Sequence, residues 1–142
     1  MSSYAYTLDD ADLAIHLTNN AIQKKDKDYG KHEDGNILSF AQSTEATGID
    51  FVKLSSEFIR PVIELSLIAA RNKIDKNNRR FCFEILGYDF MIDMELKPWL
   101  IEVNTNPCLE ESNGLLKQIV PRMLDDAFKL TLDVIYPPIK SI

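Results

Sequence analysis

The amino-acid sequence predicts an α+β fold in which an antiparallel β-sheet is covered by helices. Three patterns support this prediction. Apolar residues recur at intervals of three and four across residues 55–74 and again across 113–135, and two runs rich in β-branched and aromatic residues lie between them at 81–93 and 98–105. The chain has 142 residues and 45% hydrophobic content, enough for one modest core, so we expect a single domain or a large piece of one.

The first stretch of the chain, residues 8–22, combines an acidic turn with an alternating apolar run. Leu13, Ile15 and Leu17 alternate with other residues, which predicts a short strand that ends in the polar triplet at 18–20. Polar residues at the end of a strand are placed to line a site. Residues 23–36 are charged and contain two glycines, so we expect a loop or an extended arm there.

Two helices are expected after this arm, and each contains a proline. In residues 55–74, Pro61 is tolerated only in the first turn, so the helix proper should begin close to Arg60, and its apolar stripe should pack on a core. The closing pattern across residues 113–135 should end before Pro137 and Pro138. Pro121 leaves two alternatives open within that pattern, a kinked helix or two shorter helices.

The two strand-like runs should pair as a hairpin connected by residues 94–97. Cross-strand partners then have numbers that sum to 191, which pairs Asp93 with Pro98, Asp89 with Glu102, and Gly87 with Asn104. Side chains alternate along a strand, so one face should be polar and the opposite face apolar. The polar face should carry Asp89, Glu102 and Asn104, and the apolar face should carry Tyr88, Phe90, Ile92, Trp99, Ile101 and Val103.

An aspartate opposite a glutamate requires an explanation, because like charges directly across a sheet repel. Either one carboxyl is protonated or a cation binds. Asn104 adds a neutral oxygen two residues after Glu102, and an all-oxygen cluster suits magnesium, whereas no histidine or cysteine is near in sequence to favour zinc. Gly87 should leave room for a ligand. The alternative is a solvent-facing acidic hairpin without a ligand.

Composition and charge argue against several partners. The formal net charge is −6 with both signs dispersed, which disfavours nucleic acid because phosphate binding needs a basic face. No apolar run approaches the roughly 20 residues that span a bilayer, and the first residues do not resemble a secretory signal, so we expect no membrane association and an intracellular protein. Cys82 and Cys108 are isolated from each other and are expected to be reduced thiols.

Two sequence blocks resemble the metal-binding motif of the tubulin-tyrosine-ligase family, which has an ATP-grasp fold. They read Tyr-Asp-Phe-Met-Ile-Asp at 88–93 and Lys-Pro-Trp-Leu-Ile-Glu-Val-Asn-Thr-Asn-Pro at 97–107. The resemblance extends upstream to His-Leu-Thr-Asn-Asn-Ala-Ile-Gln-Lys at 16–24, to Tyr-Gly-Lys at 29–31, to Glu33, and to Gly35 and Asn36. It implies that residues 1–142 form a single partial domain, the C-terminal portion of an ATP-grasp domain.

The resemblance also implies a set of site residues. Asp89, Glu102 and Asn104 would hold the magnesium ions that bridge the phosphates of ATP. The segment that contains His16, Thr18 and Asn19 borders the nucleotide in the family, which makes these three residues candidates for phosphate or ribose contacts. For His16 a purely structural hydrogen bond is the alternative.

In activity, the resemblance implies a ligase that uses ATP and Mg²⁺ to add tyrosine, glutamate or glycine to tubulin through an acyl phosphate. The family's nucleotide-clamping lysines lie upstream of residue 1, so the N-terminal half of the ATP site, or an assembly partner, is expected as a further partner. The other partner is tubulin or another acidic protein tail, at the cytoskeleton, microtubules or a cilium in the cytoplasm. A truncated non-catalytic paralogue that binds tubulin is the alternative.

The residues that would bind such a tail form a short basic run. Lys73, Lys76, Arg79 and Arg80 lie just before the hairpin, where they are placed to receive an acidic tubulin tail. The alternative is a solvated turn, since exposed charges contribute little by default.

Overall fold

The computed structural model of the chain describes residues 2–31 and 34–137, so Glu33 and Pro138 lie outside the described residues. The predicted α+β class is confirmed, with six α-helices and one two-stranded antiparallel sheet in the described part of the chain. In chain order the elements are α1 (Leu13–His16), α2 (Asn20–Gln23), a 3₁₀ turn (Asp34–Asn36), α3 (Phe40–Thr47), α4 (Phe51–Leu54), a π-helical turn (Ser55–Ile59), α5 (Arg60–Ile74), β1 (Gly87–Ile92), β2 (Pro98–Asn104) and α6 (Gly114–Ile135).

The strand predicted within residues 8–22 is wrong, because this stretch forms two short helices. The Asp12 carboxylate accepts a hydrogen bond from the Ala14 amide at 2.9 Å and caps α1, and the Asn19 side chain caps α2 through the Ala21 amide at 2.9 Å. An apolar alternation of five residues is too short to separate a strand from one helical turn. The capping residues, which favour helix starts, decide between them.

The central helix begins where the proline rule places it. α5 starts at Arg60 with Pro61 in its first turn, as predicted. The helical run extends further back than expected, through the π-helical turn to α4. Pro61 lacks an amide hydrogen and its ring conflicts with the carbonyl four residues earlier, and a π-helical turn is one way for a helix to absorb this conflict.

The strands form the predicted hairpin, but with a different connection. The Asp93 amide donates to the Lys97 carbonyl at 3.1 Å, which leaves a three-residue loop of Met94, Glu95 and Leu96. Leu96 adopts φ 63°, the left-handed conformation that is common at the end of three-residue hairpin loops. The predicted pairing of Asp93 with Pro98 is therefore wrong, because Pro98 pairs with Ile92.

A β-bulge then shifts the register by one residue. Phe90 pairs with Leu100 while Asp89 pairs with Glu102, so Ile101 is the extra residue. Beyond the bulge, the predicted pairs of Asp89 with Glu102 and of Gly87 with Asn104 are confirmed.

The bulge changes the two faces of the hairpin. Tyr88, Phe90 and Ile92 are half-buried as predicted, and the Tyr88 hydroxyl lies 2.9 Å from Ser66 Oγ on α5, so α5 contacts this face at Tyr88. Trp99 pairs with Met91 and thus lies on the face of Asp89, not on the apolar face where we expected it. Ile101 and Val103 are exposed, so their predicted burial is also wrong.

Two further elements differ from their predicted form. Residues 81–86 are not part of a strand, and Phe81 has φ 60°, which interrupts extended structure. α6 is one helix of 22 residues that contains Pro121, so the split into two helices is not observed. It ends at Ile135, before Pro137, as predicted.

The hydrophobic core of the described chain is small. Its buried apolar residues are Ala14, Leu54 and Val120, and α5 has no buried residue, so the expectation that the apolar stripe of α5 packs on a core is wrong. The accessible surface is 11596 Å². A compact monomer of 16.2 kDa exposes on the order of 7,500 Å². Much of the apolar surface of α5, α6 and the hairpin is therefore uncovered in this chain.

No helix in the described ranges is both long enough and apolar enough to cross a membrane.

Candidate functional site

The side chains of Asp89, Glu102 and Asn104 meet on one face of the hairpin. Asn104 Nδ2 lies 3.2 Å from Asp89 Oδ2 and 3.2 Å from Glu102 Oε1. All three residues are exposed to solvent. The amide therefore bridges two carboxylates that belong to opposite strands, and the register of the hairpin brings them together.

This donor set fits a hard divalent cation. Two carboxylates and one amide offer only oxygen ligands once the amide of Asn104 is rotated to direct Oδ1 at the carboxylates, and such a cluster leaves positions for water and phosphate oxygens, as magnesium sites require. Over the described residues, no group of three or more His, Cys, Asp or Glu side chains is arranged to hold a metal. The candidate site consequently depends on Asn104 as its third member.

Gly87 has a different role from the one expected. A Cβ atom at this position would lie 3.1 Å from Pro107 Cβ and 3.6 Å from Asn104 Cβ. The space beside Gly87 is filled by Pro107, so it does not leave room for a ligand. Glycine here allows Pro107 to pack beside the residue that bridges the two carboxylates.

The tip of the hairpin is stabilised by a separate hydrogen-bond network around Asp93. Its Oδ1 accepts from the amides of Glu95 and Lys97, both at 2.9 Å, and its Oδ2 accepts from Trp99 Nε1 at 2.8 Å. The Trp99 hydrogen bond, followed by the Lys97 amide, lowers the pKa of Asp93 from its ordinary value. The Lys97 ammonium lies 4.2 Å from the Trp99 ring centre. This network holds the turn and so supports the register of the acidic pair.

The three candidate nucleotide residues lie at the junction of α1 and α2. His16 Nε2 donates to the Asp10 carbonyl at 2.5 Å, and its ring contacts Tyr6 edge-on with centroids 5.3 Å apart, which favours the structural alternative for this residue. Asn19 uses its side-chain oxygen to cap α2. Thr18 is exposed. No hydrogen bond or ion pair within residues 2–31 and 34–137 joins these three residues to the hairpin cluster.

Two buried amides beneath this junction were not predicted. Gln23 is 1% exposed, and its Nε2 donates to the carbonyls of Ala14 at 2.8 Å and Leu17 at 2.6 Å. Asn36 is also buried and donates from Nδ2 to Gln23 Oε1 at 3.3 Å. The sequence carries no periodic signal for them, because both lie in a polar stretch.

A long-range contact links this first region to α6. Asp34 Oδ2 accepts from the Gly114 amide at 2.7 Å, at the first residue of α6. The adjacent Gly35 has φ 69°, and a Cβ there would lie 3.1 Å from Asn113 Nδ2, so only glycine fits. Asn113 Oδ1 caps α6 through the Leu116 amide at 2.9 Å, while its buried Nδ2 has no hydrogen-bond partner in the described part of the chain.

The cationic segment, defined as Lys73, Lys76, Arg79 and Arg80, is exposed; Lys73 lies in the last turn of α5, and the other three lie in the irregular stretch that follows it. The ion pairs of the described residues join Lys31 to Asp28, Arg60 to Glu64, Arg122 to Asp126, and Lys129 to Asp125. None of these pairs uses a residue of the cationic segment. The only carboxylate inside the segment, Asp75, accepts from the backbone amide of Arg79 at 3.0 Å.

Fold and site together define an α+β protein whose hairpin presents an all-oxygen cluster suited to a divalent cation. The sequence model of the tubulin-tyrosine ligase family matches residues 1–141. The chain therefore belongs to the tubulin-tyrosine ligase family, and the resemblance seen in its motifs is confirmed.

Three relatives are similar to this chain along most of its length. Tubulin glycylase 3B of Tetrahymena thermophila is 34% identical over 140 residues, which cover 94% of this chain and 12% of the relative. Tubulin polyglutamylase ttll6 of Danio rerio is 32% identical over 132 residues, which cover 84% of this chain and 17% of the relative. Tubulin glycylase 3A of Drosophila melanogaster is 32% identical over 140 residues, which cover 93% of this chain and 14% of the relative. The chain thus spans less than a fifth of the length of each of these proteins.

Proposed function

We propose that this chain is part of an ATP- and Mg²⁺-dependent ligase that adds an amino acid to tubulin through an acyl-phosphate intermediate. The observation that carries the proposal is the meeting of Asp89, Glu102 and Asn104 on one face of the hairpin. Relatives named as glycylases and a polyglutamylase favour glycine or glutamate over tyrosine as the amino acid added. The ATP-grasp assignment of the fold belongs to the same proposal.

In the proposed reaction, a side-chain or terminal carboxylate of tubulin attacks the γ-phosphate of ATP and ADP leaves. The amine of the incoming amino acid then attacks the acyl phosphate, and inorganic phosphate leaves as the amide bond forms. A bound Mg²⁺ would stabilise the charge on the transferred phosphoryl group. The contribution of this chain is to hold Asp89 and Glu102 side by side on rigid strands, so that little rearrangement is needed when the cation and nucleotide bind.

A metal titration with a matched glutamate control tests the acidic pair. We expect Glu102→Gln to weaken Mn²⁺ binding at the hairpin by at least about tenfold. Loss of a residue that only supports a metal ligand typically lowers affinity by about that factor, and loss of a ligand itself should cost at least as much. Paramagnetic broadening of the Asp89 and Asn104 amide signals by Mn²⁺ reports the site, and calorimetry measures the affinity for Mg-ATP in wild type, Asp89→Ala and Glu102→Gln.

The control is Glu95→Gln, which changes an exposed glutamate at the tip of the same hairpin whose carboxylate makes no described contact. It should bind Mn²⁺ as wild type does. If Glu102→Gln and Glu95→Gln behave alike, the acidic pair is a solvent-facing feature and the assignment fails. If the folded wild-type chain does not bind Mg-ATP, the nucleotide site is not complete in these residues.

We further propose that the cationic segment docks an acidic stretch of the tubulin substrate, at microtubules in the cytoplasm or in a cilium. Its four cations are free of described ion pairs, and the carboxylates beside them are Asp75 and Glu84, in a chain whose formal net charge is −6. Positive charge concentrated on an otherwise negative protein favours an acidic peptide at that place and steers its approach.

Salt dependence tests this docking. The triple change Lys76→Gln, Arg79→Gln, Arg80→Gln should weaken binding of a fluorescent oligoglutamate peptide and flatten the decrease of affinity with ionic strength, because fewer ion contacts remain to be screened. The matched control is Lys24→Gln, Lys25→Gln, Lys27→Gln, which removes the same charge elsewhere. Equal salt slopes in the two variants would identify the cationic segment as a solvated turn.

The alternative function is a non-catalytic member of the family that binds tubulin or an assembly partner. Exposure of the cationic segment is the observation that favours it. Oligoglutamate binding without any Mg-ATP binding would support this alternative, whereas binding of both would support the ligase.

A further inference from the structure

We propose that Gln23 is a positioning residue that fixes the backbone around Thr18 and Asn19 for contact with the nucleotide. The inference rests on the proposed role of Thr18 and Asn19 in ATP binding. Gln23 itself would touch neither ATP nor the metal. Its role would be to hold one peptide plane in the orientation that a phosphate-binding segment needs.

Gln23 is the most deeply buried large side chain of the described residues, and it is polar. Burial of an amide is unfavourable unless its hydrogen bonds are made. Gln23 makes them with the carbonyls of Ala14 and Leu17, which lie on either side of His16. These hydrogen bonds tie the end of α2 back to the end of α1, and the short connection between the two helices carries Thr18 and Asn19.

The two carbonyls are available to this side chain because α1 stops at His16. Leu17 has extended backbone angles, φ −115° and ψ 113°, so the carbonyls of Ala14 and Leu17 do not receive the helical hydrogen bonds that a continuing helix would provide. Gln23 Nε2 supplies donors to both. The Ser2 hydroxyl also donates to the Ala14 carbonyl, at 2.7 Å, whereas the Leu17 carbonyl accepts from Gln23 alone among the described residues. Gln23 therefore satisfies the backbone carbonyl next to the candidate nucleotide residues.

The hydrogen bond to Leu17 also orients Thr18. In a trans peptide the carbonyl oxygen of one residue and the amide hydrogen of the next point in opposite directions. With the Leu17 carbonyl directed inward to Gln23, the Thr18 amide must be directed away from it. The Thr18 amide donates to no acceptor among the described residues, and the side chain of Thr18 is exposed. A free donor held outward on a fixed peptide plane is suited to an anionic ligand.

Asn36 determines which way the Gln23 amide faces. Its Nδ2 donates to Gln23 Oε1 at 3.3 Å, and its own Oδ1 accepts from the Gly30 amide at 2.9 Å. With a donor at Oε1 and two carbonyl acceptors at Nε2, only one orientation of the Gln23 amide satisfies all its neighbours. The orientation of the Leu17–Thr18 peptide is thus supported by Asn36 and, through it, by the Gly30 amide.

The substitution Gln23→Met tests the inference, because methionine fills a similar volume without hydrogen-bonding groups. Backbone ¹⁵N order parameters of Thr18 and Asn19 should fall from about 0.85, typical of rigid backbone, to below about 0.6. Mg-ATP affinity should fall about tenfold or more, while Mn²⁺ binding at the hairpin stays unchanged. Gln118→Met, at an exposed glutamine on α6, is the matched control and should change none of these quantities.

Each outcome decides the inference. Unchanged order parameters at Thr18 and Asn19, or unchanged Mg-ATP affinity despite their increased mobility, would overturn it. A loss of order that includes the hairpin would also overturn it, because Gln23 would then support the whole fold. If Gln23→Met does not fold, Asn36→Gly takes its place, because it removes the hydrogen bond that Asn36 donates to Gln23. Glycine readily adopts the φ of 54° found at position 36. Asn36→Gly should mobilise Thr18 and Asn19 in the same way.

Failure of this inference is distinguishable from failure of the proposed function. A wild-type chain that does not bind Mg-ATP contradicts a complete nucleotide site in these residues. The order parameters of Thr18 and Asn19 then still decide whether Gln23 fixes their backbone, and only their loss in Gln23→Met supports it.

Discussion

The two halves of this molecule are stabilised in different ways. Residues 2–31 and 34–36, the first half, bury one apolar residue, Ala14, and depend on side chains that hydrogen-bond to backbone groups. Among these side chains are Gln23, Asn36 and the Ser2 hydroxyl, which donates to the Ala14 carbonyl at 2.7 Å. Residues 40–136 contain the longer helices and the hairpin, and they bury Leu54 and Val120. In a polar network, each hydrogen bond fixes the position of two particular groups. In an apolar core, the positions of the side chains are fixed by many contacts together.

The difference extends to what each half leaves exposed. The helices and the hairpin present many apolar side chains to solvent, including Leu65 at 65% and Leu130 at 78% exposure. The described residues of the first half expose fewer such groups and instead expose the candidate nucleotide residues Thr18 and Asn19. An exposed apolar face of this extent is typical of a surface that packs on further polypeptide. The exposed polar groups of the first half need no such cover.

The largest change in stability is expected for a substitution in the core of the second half. Leu54 is 4% exposed at the end of α4, so Leu54→Ala should lower the free energy of unfolding by about 2–5 kcal/mol, through lost apolar burial and the cavity that remains. Urea denaturation followed by circular dichroism measures the change. Because so few apolar residues are buried, few other truncations in the described core should lower the free energy of unfolding by more.

The matched control is Leu65→Ala, which truncates the same side chain on an exposed position of α5. We expect a change within about 0.5 kcal/mol, as is usual for surface positions. An equal loss in both variants would mean that the exposed face of α5 is covered in solution, for instance by a second copy of the chain. Measuring the denaturation midpoint at several protein concentrations would identify that case.

The hairpin shows how much of the second half the sequence could predict. The strands and the opposition of Asp89 and Glu102 follow from residue type, spacing and alternation. The connection was predicted one residue too long, and the extra residue Ile101 restores the same pairing beyond the bulge. The shorter loop and the bulge shift the register by one residue in opposite directions, so Asp89 and Glu102 pair as predicted. Trp99 lies between the loop and the bulge, so its pairing differs from the prediction. No periodic pattern marks a bulge, because it is an interruption of the period.

The first half was less predictable for a different reason. Patterns of apolar residues locate apolar cores, and two of the three buried residues in the described part of the first half, Gln23 and Asn36, are amides. Gln23 and Asn36 belong to a stretch that we expected to be a loop, and residue type alone does not distinguish a buried amide from a solvated one. His16, Thr18 and Asn19 were proposed from a resemblance, and their role stays a prediction.

The smallest expected effect is a pH dependence that separates the two halves. The Tyr4 hydroxyl donates to Asp28 at 2.9 Å and to Asp26 at 3.1 Å, which raises the pKa of Tyr4 above its ordinary value of 10.0 and lowers the pKa of Asp28 below its ordinary 3.8. Asp93 at the tip of the hairpin also has a lowered pKa, caused first by the Trp99 hydrogen bond.

The direction follows from the protonation states that the folded chain favours. A carboxyl with a lowered pKa stabilises the fold above its ordinary value and loses that contribution as pH falls through the lowered one, so both halves should weaken in acid. A tyrosine with a raised pKa contributes fully below 10.0 and loses its contribution as pH rises through the raised value. Residues 2–36 should therefore also weaken in strong alkali, whereas the Asp93 network predicts only the acid effect for the hairpin.

Tyr4→Phe and Trp99→Phe separate the two effects, since each removes one hydrogen-bond donor and keeps an aromatic ring. Amide hydrogen exchange at pH 3 and pH 7, corrected for intrinsic rates, should show less acid weakening of residues 2–36 in Tyr4→Phe with the hairpin unchanged, and the reverse in Trp99→Phe. The changes should be modest because both networks are accessible to solvent. If either variant alters both halves equally, the polar network and the hairpin form one cooperative unit, and the division between two modes of stabilisation is wrong.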